Sequence, residues 1–141
     1  MKIRIQDHSI RYRITLQELE ELRVTGRLDR LTRILGPAGP CGEFHYSLAV
    51  DTELGDSTVD CADRRISLSL SVTDFETLSR PSEEGVYLRR EWVDELGGAH
   101  RFLAFVEKDR PGSVCDKPEE WIYQERPGMR PETRPIPTGE A

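Results

Sequence analysis

The chain has 141 residues, 36% of them hydrophobic and 33% charged, with a formal net charge of −6; this is enough for one core, too little for two independent domains, and too apolar for wholesale disorder. No apolar run approaches the roughly 20 residues of a membrane helix, and residues 1–14 alternate basic and apolar side chains where a secretory leader needs a continuous apolar stretch, so a cytoplasmic protein without membrane contact is expected. Three cysteines, Cys41, Cys61 and Cys115, have no CxxC spacing, which favours reduced thiols over a disulfide framework or a zinc ribbon.

Taken in chain order, Ile3 and Ile5, then Ile10, Tyr12 and Ile14, predict two strands around the turn "QDHS", with Lys2, Arg4, Arg11 and Arg13 on the opposite face. Thr15 and Glu18 form a T-x-x-E capping box. Leu16, Leu19 and Leu22 then carry one apolar stripe until Gly26 stops the helix. A strand over Arg27–Leu35, a flexible connector "GPAGPCG" and a strand with alternating Phe44, Tyr46, Leu48 and Val50 follow. Val59 and Cys61, the turn "CADR", then Ile66, Leu68 and Leu70 open a second series, in which Cys61 is expected as a core thiol. Thr73 and Glu76 predict a second capping box, for a helix that ends before Pro81. Strands over Val86–Asp94 and Phe102–Lys108 flank a turn at Gly97 and Gly98; "FLAFV" is apolar on both faces and reads as a central strand.

The second series repeats the first. A shift of 56 residues brings Ile3 onto Val59, Ile10 onto Ile66, Leu16 onto Val72, Leu19 onto Phe75 and Leu22 onto Leu78; the offset then drifts to 58. The fold class expected is α+β: an internally duplicated ββαββ unit with repeats over about 1–52 and 57–109. It would have about eight mainly antiparallel strands in a barrel or two-layer sheet, with two helices. An internal two-fold leaves less need for a homodimer, so a monomer or weak homodimer is expected. Residues 110–141 read as a Pro-rich tail, partly packed near 121–123, where Trp121 and Tyr123 are candidates for covering the body or for meeting a partner.

The charge is +3 over residues 1–35, −7 over 36–108 and −2 over 109–141. Nucleic acid is therefore not expected as a partner, although a local basic stripe lies in the first third. Arg11 and Arg13 are candidates for holding phosphate or carboxylate. Glu107, Lys108 and Asp109, where a buried strand emerges, are candidates for ligand contact or acid/base work. His8, His45, His100 and the cysteines show no metal-ligand spacing, so neither a metal nor another cofactor is predicted.

The opening "MKIRIQDHSIRYRITLQELEEL" and the later "FLAFVEKD" resemble an uncharacterised family of short bacterial proteins, described as a domain of unknown function. The matching residues are Met1–Ile5, Ser9–Arg13, Glu18 and Val106–Asp109; Arg110 and Pro111 depart from that pattern, and Cys115 comes later than the family's cysteine. The resemblance implies no activity. The residues themselves favour a small non-enzymatic binding or interaction module that meets a protein or a small anionic ligand. The alternative is a tunnel-like, metal-assisted hydrolase of phosphate substrates using Arg11, Arg13 and Glu107.

Overall fold

Ile10, Tyr12 and Ile14 alternate with Ser9, Arg11 and Arg13, and the backbone answers with a strand whose burial alternates in step. A computed structural model describes residues 1–109; the expectations for the tail, with Cys115, Trp121 and Tyr123, lie outside the described residues. The elements are β1 (Lys2–Gln6), β2 (Ser9–Ile14), α1 (Leu16–Thr25), β3 (Arg27–Gly36), β4 (Gly39–Val50), β5 (Thr58–Ala62), β6 (Arg65–Leu70), α2 (Val72–Ser79), β7 (Gly85–Val93) and β8 (Ala99–Lys108). Asp7 and Asp63, with φ of 49° and 50°, take the left-handed conformation in the two short turns that join β1 to β2 and β5 to β6.

The strands form two four-stranded sheets, ordered β1-β2-β8-β7 and β3-β4-β6-β5. Each sheet joins two antiparallel hairpins through a central parallel pair, β2 with β8 and β4 with β6. The sheets are therefore mixed: four of the six strand pairs are antiparallel, as expected in the main, and the parallel pair at the centre of each sheet is the departure. Among the described residues no pairing closes them into a barrel. Tyr12, Ile14 and Val106 from the first sheet, Leu28, Leu48, Leu68 and Leu70 from the second, and Leu22 and Leu78 from the helices are all fully buried in one apolar cluster. The Tyr12 hydroxyl donates to the Ile66 carbonyl at 3.3 Å, linking the first sheet to the second, and burial pushes its pKa up.

Register within the two sheets corresponds residue by residue. Lys2 faces Arg13 as Thr58 faces Ser69, a constant offset of 56. Arg27 faces Ala49 as Gly85 faces Glu107, and Ser9 faces Leu103 as Arg65 faces His45, with an offset of 58 in the third and fourth strands of each series. Arg27 thus corresponds to Gly85.

Three local expectations change. The second helix is capped by Ser71, whose side chain accepts from the Asp74 amide, two residues before the predicted Thr73 box; Ser71 is the counterpart of Thr15 at the offset of 56. The "GPAGPCG" stretch is no loose connector, since β3 runs to Gly36, β4 starts at Gly39, and an irregularity beside Ile34 and Leu35 absorbs one extra residue. Cys61 is exposed, because it lies toward the end of an edge strand whose first-series counterpart, Ile5, is also 57% exposed.

At α1 the predicted box forms in full. The Thr15 side chain accepts from the Glu18 amide at 3.0 Å, and Glu18 accepts from the Thr15 amide at 3.1 Å. Glu18 also accepts from Arg30 of β3 at 2.6 Å and from the Met1 ammonium, so one carboxylate ties the helix start to both sheets. Burial alone would raise its pKa, but the ammonium, the Thr15 amide and Arg30 outweigh burial and hold it below the ordinary value. A depressed folded pKa contributes stability that is present above the unfolded value and lost as pH falls through the folded one. Glu18→Gln keeps the cap geometry and removes the charge, so it should cost about 1 kcal/mol near neutrality. The gap to the parent should shrink in urea melts as pH is lowered through the acid range; a gap independent of pH would show that the charge contributes nothing.

Candidate functional site

Because opposed residues in a ladder point the same way, the register fixes what each sheet shows to solvent. With Tyr12, Val86 and Val106 turned into the core, the outer face of β1-β2-β8-β7 carries one row of Arg4, Arg11, Phe105 and Tyr87, and another of Lys2, Arg13, Glu107 and Gly85. Arg89, Arg101 and Glu91 extend it along β7 and β8. The face thus holds six cationic and two acidic side chains. This is the outward placement expected for Arg11 and Arg13.

The corresponding positions of the other sheet differ in kind. Ser67, Ser69 and Asp60 stand where Arg11, Arg13 and Arg4 do, and Ser47 and Asp29 stand where Phe105 and Tyr87 do. Its charges pair among themselves: Arg27 with Asp29 at 2.7 Å, Arg33 with Glu43 at 2.8 Å, and Arg65 with Asp29 at 3.9 Å. The Arg27 hydrogen bond holds the Asp29 carboxyl below its ordinary pKa. One outer face is neutral and self-satisfied, whereas the other is basic and aromatic.

The structure brings Arg11, Arg13 and Glu107 together. Glu107 Oε1 lies 3.1 Å from Arg11 Nε and 3.7 Å from Arg13 Nη2. The Arg11 guanidinium also stands over the Phe105 ring, 5.0 Å from its centroid. Tyr87 meets Phe105 edge-on at 5.3 Å, with its own side chain largely exposed. Each contact is individually modest, about 0.5–1 kcal/mol for an exposed cation–π pair and less than about 1 kcal/mol for a partly exposed ion pair. Together they fix the direction of side chains that would otherwise sweep through solvent.

A cleft of about 640 Å³ opens on the same side, where residues 99–102 of β8 run past the start of β2 beside the β1–β2 turn. Arg11, Phe105, Arg101, His8 and His100 are among its lining residues. His100 Nε2 lies 2.8 Å from Asp94 Oδ2, and Asp94 also accepts from the Leu96 and Gly98 amides, which staples the β7–β8 turn. The His100 contact, then the Gly98 amide, keeps the Asp94 carboxyl below its usual pKa. Although two histidines share the cleft, no group of three His, Cys, Asp or Glu side chains among the described residues could hold a metal ion.

The other candidates are elsewhere. Lys108 pairs with Ile14 on the opposite side of the sheet, and its ammonium donates to the Arg80 carbonyl at the end of α2, at 2.7 Å. Asp109, the last described residue, is buried. Sequence reasoning missed Phe105, Tyr87 and Arg101. "FLAFV" gives no hint of which apolar residues face out, and only the parallel register with β2 turns Phe105 toward Arg11.

Gly85 leaves room for Glu107. A Cβ there would stand 2.4 Å from the Val106 carbonyl oxygen and 3.0 Å from Glu107 Cγ. Gly85→Ala should therefore cost about 1–3 kcal/mol through backbone displacement. A fall in melting temperature of less than about 2 °C would show that the strand yields freely there.

Neither the curated proteins nor the solved structures contain a match to this chain. A family model, "Family of unknown function (DUF7009)", matches residues 1–112, the span that carries both sheets and both helices, and the chain belongs to that family.

Proposed function

We propose that the chain is a small non-enzymatic binding module built from two copies of a ββαββ unit, with the outer face of β1-β2-β8-β7 receiving an anionic partner. The observation that carries this reading is the contrast between equivalent faces. The inner positions that fill the core match in apolar character, Ile10 with Ile66, Tyr12 with Leu68, Ile14 with Leu70, Leu28 with Val86 and Leu48 with Val106, while the outer positions differ, with serines and paired charges on one sheet and arginines and aromatic rings on the other. Core packing explains the first pattern and makes no demand on the second.

The hydrolase alternative is favoured by one feature, the convergence of Arg11, Arg13 and Glu107. It lacks an enclosed polar interior, since the inner faces are filled by Tyr12, Leu48, Leu68 and Val106. In the binding reading, Glu107 competes with the partner for the two arginines; in the catalytic reading it does chemistry. Glu107→Gln separates the two.

Binding to inorganic polyphosphate, followed by thermal shift and by salt elution from an immobilised polyanion, should tighten about three-fold or more in Glu107→Gln and weaken by a similar factor in Arg11→Gln. Weaker binding in Glu107→Gln, together with loss of any phosphate release by the parent, would replace this reading with the hydrolase. An absence of polyanion binding by the parent would end it.

A further inference from the structure

The anion-binding face has a second property that charge does not require. Its central row crosses all four strands as Arg4, Arg11, Phe105 and Tyr87, a track about 14 Å long at the usual strand spacing. The basic half is available: among the described residues neither Arg4 nor Arg101 is drawn into an ion pair. Tyr87 is available too: it is 60% exposed and its contact with Phe105 is edge-on, which leaves a ring face open. Arg11 and Phe105 also line the cleft, so track and cleft form one continuous surface. The cleft is the size of a site for a small heterocycle.

The exposed Tyr87 ring, backed by a half-buried Phe105 and standing beside a row of arginines on an open sheet, matches the chemistry of unpaired bases. Every base has a π face that stacks on an aromatic ring, and every link between bases carries a negative charge for a guanidinium. A duplex hides its base faces and leaves only phosphates, which would use Arg4, Arg11 and Arg101 and ignore Tyr87. An acidic peptide would likewise meet the cations and leave the rings without partners. The charge of −6 on the whole chain weighs against general adhesion to polyanions, and the basic face of one sheet is a local exception to it.

We propose that this face binds single-stranded nucleic acid, with one base stacked on Tyr87, a neighbouring base at the Phe105 end of the cleft, and phosphates on Arg4, Arg11 and Arg101. The inference rests on the anion-binding reading and narrows it. Stacking supplies the preference for unpaired strands, and the few cations keep the salt dependence shallow.

The test is fluorescence anisotropy on the full chain with a labelled oligothymidylate and an oligouridylate of about ten nucleotides, a duplex of the same length, polyphosphate and polyglutamate. Single strands should bind at least about ten-fold more tightly than the duplex. Log K should fall with log salt at a slope of about −2, from about three phosphate contacts. Tyr87→Ala should weaken the single strands at least about five-fold, while polyphosphate binding stays unchanged and Tyr87→Phe restores the parent affinity. The side chain is exposed, and circular dichroism of both variants checks the fold.

Polyphosphate binding with no preference for single strands, or an equal loss on all anions in Tyr87→Ala, would overturn this inference and leave the anion-binding face intact. Duplex bound as tightly as single strand, or polyglutamate bound more tightly than either, would overturn it as well. A parent that binds none of these anions would remove both readings together.

Discussion

The parallel pairing of β2 with β8 and of β4 with β6 is the constraint on which the rest of the structure depends. Each sheet takes one hairpin from each half of the chain, so neither half can complete a sheet or bury its inner face alone. The helices follow from this exchange: α1 carries the chain from β2 in one sheet to β3 in the other, and α2 carries it from β6 back to β7. Glu18 sits at the first crossing, where it holds the start of α1 and Arg30 of the other sheet. Because β2 must wait for a strand more than ninety residues later, the fold is rich in non-local pairings, the kind that slows folding.

Much of the architecture was legible because period and capping are local properties. The alternation of Ile10, Tyr12 and Ile14 and the switch at Thr15 lie within a few residues, and so does the stop at Gly26, whose φ of 77° suits glycine. The offsets of 56 and 58 were legible for the same reason. The parallel pairing was not, because the pattern of a strand records which face is apolar and says nothing of its neighbours. The second cap was misplaced because Ser71 and Thr73 are both good capping residues, and tertiary position decides between them: Ser57 and Asp74 close a hydrogen-bonded group around Ser71. Cys61 was misplaced because an apolar position near the end of an edge strand can lie past the cover of the opposite sheet.

The candidate site was half legible. Arg11 and Arg13 could be assigned to the outside once Tyr12 was assigned to the core, and Glu107 could be suspected at a strand end. What joins them is the register Arg11 to Phe105 and Arg13 to Glu107, a fact of the parallel pair alone. Lys108, next in sequence to Glu107, points to the other side and secures the end of α2. Adjacent charges in a strand therefore separate into different roles, and a cluster in sequence is not a cluster in space.

Glu107 has two opposed effects on the basic face. Its carboxylate lowers the local positive charge, which by itself weakens attraction for anions. It also holds Arg11, and Phe105 supports the same guanidinium from below. A free arginine side chain loses up to about 2 kcal/mol of rotamer freedom when it is fixed; one already held by an ion pair and a ring has lost part of that before any partner arrives. The two effects depend differently on salt. Screening erodes the charge term, whereas the packing of Arg11 on Phe105 persists at an ionic strength that silences exposed pairs. The same arginine contact would therefore be weak as an electrostatic attraction and still determine where on the sheet an anion would be placed.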